Sequence, residues 1–400
     1  MNTIVPYDGQ IAQVLLETSL DKVESWVENH GYKGYEPFDG LSSWFAPLTC
    51  GNLFVERLLL QLVRQSPINL RPIMGVTKKD STKGRGYMAA GYLLRFRTTS
   101  APMYLDRALA CLDWLDKNKA SNFNDHSWSN HFDFSSRGGK YTRHDPIIVW
   151  TSLIGHAFLD AFEITGGKRW LDIADSACRW IVKLPRERTN SGNCMSYVEF
   201  TQVSIHNANM LGAGLLARAA KHTGNEEYVS IARSAMLYSC SRQLQNGAWW
   251  YAEEPKYQWI DNFHTGYNLI SLKRYIEDTG DATWQKHLQD GLNFYKSNFL
   301  EDDGCPKYYH NRRYPIDIQC AGQSVETLAA FSDQDPSNLE MAVKSAQWTI
   351  DNMQDPDGHF YYRIYPAIKA RTAMFHWGQG TMYKGLALLA AKLQAASRGS

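Results

Sequence analysis

The sequence has no excess of either charge, because Lys and Arg number 42 while Asp and Glu number 41. It therefore provides no broad field that would attract nucleic acid or an anionic membrane. Runs of about 18 apolar residues are missing, so no membrane-spanning helix is predicted. The amino terminus also lacks the basic and then apolar segments of a secretory signal. We predict a cytoplasmic protein with no nucleic-acid partner and no stable membrane insertion.

Cysteine and metal-ligand patterns are equally sparse. The seven cysteines are odd in number, scattered and never spaced as CxxC, which is typical of small core residues in a reducing compartment. No HxxxH, HxH or CxxC spacing accompanies the candidate histidines described below. We therefore predict no metal site and no cofactor. Pro-, Ser- or charge-rich linkers are also missing, so the length allows two ordinary domains or one large one; the repeat described next favours a single domain over 1–400.

What the sequence does contain is a repeat. The segments FHTG, QCAG and FHWG place Gly266, Gly322 and Gly378 at intervals of 56 residues, each at the start of an apolar run. Apolar residues recur at three and four positions in 102–118, 168–184, 225–244, 281–300 and 335–353, as in amphipathic helices. Each of these helices is followed by a turn-rich linker and then by a less charged, more buried type of helix.

An amino-terminal pair, 53–63 and 86–96, fits the same scheme and brings the count to six hairpins, with an additional helix near 10–28. Units that cannot bury their own apolar face must stack on neighbours. Six helical hairpins can close into a ring with the small-residue helices inside. We predict an all-α fold, an (α/α)6 toroid whose long, aromatic-rich loops open at one end.

The repeat also aligns candidate catalytic groups. Five residues before the repeat glycines lie Asp261 and Asp317, and two residues before them lie His264 and His376. An aspartate here is equally typical of a helix cap. Two carboxylates in different environments can divide acid and base roles in glycoside hydrolysis, and histidine is the usual proton shuttle at neutral pH. Asp145 is a third candidate acid, and Tyr309 is a candidate acid or base.

The loops also carry candidate binding residues. Aromatic rings stack on sugars, and arginines hold carboxylates or phosphates through paired hydrogen bonds, although about half of the aromatics are expected to pack between hairpins. The predicted substrate-binding set is Asp39, Arg143, His206, Trp250, Tyr251, Glu254, Tyr267, Tyr308, His310, Arg313, Gln323, Tyr362, Arg363, Arg371, Trp377 and Gln379.

The chain resembles (α/α)6 toroid carbohydrate-active enzymes: unsaturated glucuronyl hydrolases, N-acylglucosamine 2-epimerases and the helical domain of glucuronyl C5-epimerases. WWYAEEPKYQWIDNFHTGYNLISLKRY is similar to the C5-epimerase stretch with Trp-Tyr-Glu-Glu before a helix, and this resemblance implies that Glu253, Glu254 and Tyr257 lie near a uronate. GYEPFDGLSS, IDNFHTGY and YPIDIQCAGQ resemble proteins encoded with surface-polysaccharide assembly enzymes. The resemblance implies a saccharide substrate, anionic or lipid-linked.

Three functions remain open at the level of sequence. The first choice is hydrolysis of an anionic saccharide by the pair Asp261 and Asp317. The second is epimerisation or β-elimination, in which His264, His376 and a tyrosine move protons while arginines neutralise an enolate. The third is a non-catalytic helical repeat that binds a glycan or a protein. The sequence does not indicate whether the protein is a monomer or an oligomer.

Overall fold

The computed structural model describes residues 9–399, and between these limits the chain forms thirteen α-helices joined by loops and short strands. The helices are α1 Gly9–Asn29, α2 Leu53–Gln65, α3 Thr82–Thr99, α4 Pro102–Lys117, α5 Ile148–Thr165, α6 Lys168–Lys183, α7 His206–Thr223, α8 Glu226–Cys240, α9 Asn262–Thr279, α10 Gln285–Asn298, α11 Ile318–Ala330, α12 Ser337–Met353 and α13 Thr381–Gly399. A π-helical turn, Phe375–Gly380, leads directly into α13.

Six helices form a closed inner ring in the order α3, α5, α7, α9, α11 and α13, and α13 packs back against α3. These helices are rich in small residues and are buried over most of their surface, as the low charge of their sequences predicts. The outer helices α4, α6, α8, α10 and α12 each pack on the inner helix that precedes them. The predicted (α/α)6 toroid is therefore confirmed.

The pairing at the amino terminus differs from the expected one. The segment 53–63, expected to form a hairpin with 86–96, lies in α2, which packs on the turns near its own start and on a loop hairpin. The helix expected to be additional, α1, instead packs on α13 and α12 and completes the outer layer. The thirteenth helix is thus amino-terminal, as predicted, but it is α2 that lies outside the ring.

Two kinds of connection set the polarity of the ring. Tight turns follow the inner helices; α5 and α7 end at Gly166 and Gly224, whose φ angles of 67° and 70° favour glycine. Long loops lead from each outer helix to the next inner helix. All six inner helices therefore begin at the end of the ring that carries the long loops.

Short antiparallel strands stiffen these loops. Their pairs are β1 Lys33–Gly34 with β2 Lys79–Asp80, β3 Phe134–Ser136 with β4 Gly139–Tyr141, β5 Arg186–Thr189 with β6 Gly192–Met195, and β8 Arg363–Ile364 with both β7 Ile316–Asp317 and β9 Lys369–Ala370. Among the described residues no helix is long and apolar enough to cross a bilayer.

Candidate functional site

A cavity of about 1160 Å³ opens at the loop end of the ring. Its floor comes from the first turns of inner helices, with Lys83 on α3, Trp150 on α5 and His264 and Tyr267 on α9. Its walls come from the loops, and one side of its mouth is formed by α2. The geometry brings together residues that are distant in the chain, as a ring of parallel inner helices requires.

The charged residues of the cavity are all cationic. No aspartate or glutamate between residues 9 and 399 lines it. The lining instead includes three imidazoles, those of His264, His310 and His376. The six lysines and arginines of the lining are Arg57, Arg64, Lys83, Arg137, Lys256 and Arg312. A cavity of this composition attracts anions and does not provide a carboxylate pair.

Asp261 and His264 form the best-defined pair of the site. Asp261 is the N-cap of α9, where its side chain accepts a hydrogen bond from the backbone N–H of His264 at 3.1 Å. Its Oδ2 lies 2.7 Å from His264 Nδ1 and accepts a hydrogen bond from Trp259 Nε1 at 2.8 Å. Asp261 is buried and borders only a small pocket beside the cavity, whereas His264 lines the cavity itself. The carboxylate thus orients an imidazole that faces the larger space.

Lys83 supplies a buried cation on the floor. Its Nζ donates to the Tyr267 hydroxyl at 3.4 Å and lies 4.7 Å from the centre of the Trp150 ring. Burial lowers the pKa of Lys83 to about 7, although the charge of Glu36 opposes this effect. Tyr267 also accepts a hydrogen bond from Gln319 Nε2 at 3.0 Å. No carboxylate between residues 9 and 399 is in hydrogen-bond contact with Lys83, and its charge is therefore available to an anionic ligand.

His376 also lies on the floor, in the π-helical turn before α13, and its ring centre is 5.8 Å from that of Trp150. Its Nδ1 is 2.7 Å from Glu36 Oε2, and its backbone N–H donates to Glu36 Oε1 at 2.8 Å. Burial lowers the pKa of His376, although Glu36 opposes this effect. Glu36 itself is fully buried behind the histidine. As with Asp261, the carboxylate lies behind the imidazole and does not enter the cavity.

Aromatic side chains cover much of the wall. Tyr251 and Trp259 are stacked with ring centres 4.5 Å apart. Tyr309 is half-buried, its backbone bridges to that of Asp261, and the Arg312 guanidinium lies 4.3 Å from its ring centre. Flat rings beside cations are suited to binding a charged sugar.

Asp317 lies outside this cavity. It is the N-cap of α11, accepts a hydrogen bond from the backbone N–H of Gln319 at 3.0 Å, and is completely buried. Its carboxylate also accepts from Arg363 Nε at 2.5 Å and from Trp377 Nε1 at 2.7 Å. The two aspartates of the expected hydrolytic pair therefore do not face a common space, because each is enclosed at its own helix start.

The structure divides the other predicted residues into two groups. Those that line the cavity are Trp250, Tyr251, His264, Tyr267, Tyr308, Tyr309, His310, His376 and Trp377. Those that do not line it, besides the two aspartates, are Asp39, Arg143, Asp145, His206, Glu254, Arg313, Gln323, Tyr362, Arg363, Arg371 and Gln379.

Local partners explain why several predicted residues lie elsewhere. Asp39 is buried against Arg71 at 2.7 Å, and burial raises the pKa of its carboxyl to about 6. Asp145 accepts the backbone N–H of Thr142, which forms a turn. His206 is buried between Glu253 and a serine of α8.

The rest of that group are held by structural contacts or lie on the surface. Gln323 bonds within α11, and Gln379 bonds to the backbone of Phe360. Arg363 and Tyr362 are buried behind the cavity wall. The remaining side chains, which are exposed, are those of Arg143, Glu254, Arg313 and Arg371.

Among residues 9–399, one group of three side chains has the donor types and spacing of a cation site. It consists of Asp355, Asp357 and His359, and its ligand atoms lie within 4.8 Å of one another. None of these residues lines the cavity. His359 is already bonded to Asp357 and to the backbone oxygen of Arg371.

Sequence reasoning missed Lys83, Trp150 and Arg64. A signal for the first existed: Ser81 lies five residues before Gly86, as Asp261 does before Gly266, and it caps α3 in the same way. Extending the glycine alignment to this helix places Lys83 in the first turn, beside the cavity.

No protein-family model matches the chain, and no curated protein matches it in sequence. Solved structures do share its fold. They include a cellobiose 2-epimerase from Bacillus thermoamylovorans (TM-score 0.60, 11% identity, 78% of this chain and 87% of that one) and a GH76 α-mannanase from Bacteroides thetaiotaomicron (0.63, 11%, 81% and 90%). A polysaccharide lyase aligns over 97% of this chain and 98% of its own, with a TM-score of 0.61 and 12% identity. At such identities the likeness establishes the (α/α)6 fold.

Proposed function

We propose that the protein is a polysaccharide lyase that cleaves an anionic, uronate-containing saccharide by β-elimination. One observation carries the proposal: the described cavity is lined by six lysines and arginines and three histidines, with no carboxylate. A uronate needs cations to bind its carboxylate and to stabilise the enolate formed when the adjacent proton leaves. The three compared proteins are named as saccharide enzymes, and the lyase aligns over nearly the whole chain.

In the proposed reaction His264 is the base. Asp261 holds Nδ1 as the N–H donor, which leaves Nε2 as the free acceptor. Nε2 takes the C5 proton, the C–H electron pair forms the C4=C5 double bond, and the C4–O4 bond breaks. Tyr309, which lies beside Asp261 and under Arg312, donates its proton to the departing O4. Lys83 contacts the uronate carboxylate.

Hydrolysis by a carboxylate pair receives less support from this geometry. Asp317 is bonded to Arg363 and Trp377 and cannot reach a substrate in the cavity without leaving both. The carboxylate of Asp261 is likewise occupied by hydrogen bonds to the side chains of His264 and Trp259 and to the first turn of α9. Acid and base roles therefore pass to the groups that line the cavity.

The experiment is incubation of the protein with a panel of uronate-containing polysaccharides in heavy water. A new ultraviolet absorbance from the unsaturated uronate, together with new reducing ends, is the expected result. Reducing ends without that absorbance would instead identify a hydrolase. Deuterium at C5 without chain cleavage would identify an epimerase.

Matched variants separate catalysis from binding alone. His264→Ala is expected to abolish the unsaturated product while the saccharide still binds, because Lys83 and the arginines remain. His359→Ala, on the same end of the molecule but outside the cavity, should leave the rate unchanged. If the unmodified protein and His264→Ala both bound the saccharide and neither gave a product, the non-catalytic alternative would be favoured.

A further inference from the structure

Residues 39–76, which we call the amino-terminal lobe, lie outside the ring at the mouth of the cavity. The lobe contains α2 and has a small apolar core of its own, formed by Val63, Met74 and Val76. It is fastened to the loop hairpin β3–β4 through Glu56, which accepts hydrogen bonds from Ser135 and from Lys140. One face of the lobe is thus anchored while its outer face meets solvent.

The outer face of the lobe is apolar. Trp44, Leu48 and Ile73 are 74%, 75% and 74% exposed. Of the 18 exposed large hydrophobic residues between residues 9 and 399, ten lie in this lobe: Trp44, Phe45, Leu48, Leu53, Phe54, Val55, Leu58, Leu62, Ile68 and Ile73. Single exposed apolar residues need no explanation, but a cluster of this size marks a contact surface.

The charges of the lobe select the kind of partner. Its two acidic residues, Asp39 and Glu56, are both buried and paired with cations. Lys78 and Lys79, which follow the lobe, are exposed, and Arg57 is half-buried. An apolar surface that has no exposed acidic residue and is followed in the chain by two exposed lysines is complementary to a bilayer, in which an apolar interior lies beneath anionic headgroups. A symmetric contact with a second copy would instead bring these cations together.

We propose that the amino-terminal lobe docks on the surface of an anionic lipid bilayer. Because Phe54 and Leu58 of α2 both belong to the exposed face and line the cavity, docking places the cavity mouth at the lipid surface. The contact is peripheral, since no described helix is able to span a bilayer. It gives the cavity access to saccharides held at a membrane. The proposal does not depend on which reaction the cavity performs.

The test is co-sedimentation of the full chain with vesicles of mixed phosphatidylcholine and phosphatidylglycerol, and with vesicles of phosphatidylcholine alone. Binding is expected to the mixed vesicles, with weaker binding to the neutral ones. The double variant Leu48→Ser/Ile73→Ser should lower binding by at least about tenfold, because two large apolar side chains no longer enter the lipid. Neither residue lines the cavity, so activity on a soluble saccharide should be unchanged.

Two further variants make the outcome decisive. Lys78→Glu/Lys79→Glu should weaken binding to the mixed vesicles by at least about tenfold and leave binding to neutral vesicles little changed. Val229→Ser/Leu237→Ser changes a matched pair of less exposed apolar residues on α8. It should change binding to neither kind of vesicle. Absence of vesicle binding would overturn the proposal. The proposal would also be overturned if the protein formed a concentration-dependent dimer that Leu48→Ser/Ile73→Ser dissociates, because the apolar patch would then be a contact with a second copy.

Discussion

Asp261 has two separable tasks, since it caps α9 and holds the His264 imidazole. Asn is also a good N-cap, so Asp261→Asn keeps the cap but replaces one acceptor oxygen with a donor. His264 must then turn its free acceptor nitrogen toward residue 261 and present an N–H to the cavity. We expect kcat to fall by roughly 10²- to 10⁴-fold, as in other carboxylate–histidine pairs. The midpoint of thermal unfolding should fall only modestly, because the cap is kept while Trp259 Nε1 loses its acceptor.

Asp317→Asn is the matched control for this variant. It changes the same residue type at the corresponding helix start, but leaves the buried Arg363 guanidinium without a full negative partner. Removing one partner of a buried ion pair costs about 3–5 kcal/mol, so the loss should appear in denaturant unfolding. If Asp317→Asn stayed fully stable and lost activity as Asp261→Asn does, the assignment of roles would be reversed.

Lys83 predicts a pH dependence of substrate binding. With a pKa of about 7 it is protonated below neutrality and neutral above it, and only the protonated form attracts a uronate. Binding at pH 8 must therefore take up a proton, and affinity should be about tenfold lower than at pH 6. Calorimetry of a uronate oligosaccharide with the inactive His264→Ala variant measures this. Adding Lys83→Met to this variant should weaken binding at pH 6 and largely remove the difference in affinity between pH 6 and pH 8.

The site was predictable where the repeat marks it. His264 and His376 were found because they occupy equivalent positions before repeat glycines, and both line the cavity. Lys83 was missed because a lysine in the first turn of a helix resembles an ordinary surface charge. Its burial depends on ring closure, which places α9 opposite α3 so that the Tyr267 hydroxyl reaches Lys83 across the ring. Capping by Asp261 and Asp317 was one of the alternatives that the sequence left open, and both aspartates do cap their helices. Their other partners, Trp259, Arg363 and Trp377, could not be predicted, because they come from connecting segments whose course no periodicity specifies.

At the scale of elements, the glycines 56 residues apart allow close packing of neighbouring inner helices. A Cβ on Gly266 would lie 2.6 Å from Gln323 Cγ of α11, and one on Gly322 would lie 2.7 Å from Thr381 Cγ2 and 3.0 Å from the Thr381 backbone carbon. The repeat therefore marks helix contacts as well as the site. This explains why the sequence alone was sufficient to predict a ring of inner helices.

Gly322→Ala tests this packing. Because the new methyl group meets backbone atoms of α13, the ring must widen, and we expect a loss of about 1–3 kcal/mol in the free energy of unfolding. Gly214→Ala, inside α7, is the control, since its nearest neighbour would be Ser271 O at 3.4 Å. Helix propensity should make that variant neutral or slightly more stable. Equal stability of both variants in a urea titration would contradict the packing argument.

The identity of the helix outside the ring was not predictable in the same way. Both α1 and α2 have amphipathic sequences, and periodicity does not reveal which partner an apolar face meets. The contact that selects α1 joins the two ends of the chain, through Glu24 of α1 and Tyr383 of α13 at 2.5 Å. Five apolar side chains of α2 remain exposed and belong to the surface that we assign to the bilayer: Leu53, Phe54, Val55, Leu58 and Leu62.

At the scale of the whole molecule, charge is balanced in sum but not in position. The formal net charge is +1, yet six lysines and arginines line the cavity with no described carboxylate among them. The composition correctly indicates no strong overall field, but it cannot report this internal separation. Cations lining a concave, low-dielectric space focus their field at its mouth and raise the local concentration of an anionic substrate.

The last prediction follows from this arrangement. We expect kcat/KM for a uronate polysaccharide to fall by about tenfold or more as NaCl is raised from low to high concentration, because salt screens the attraction. Arg312→Gln, which removes a cation at the rim, should lower the low-salt rate and reduce the slope against salt. Binding of a neutral oligosaccharide is the control and should change little. A rate that did not depend on salt would mean that the cavity cations are not what draws in the substrate, and the assignment of a polyanionic saccharide would have to be abandoned.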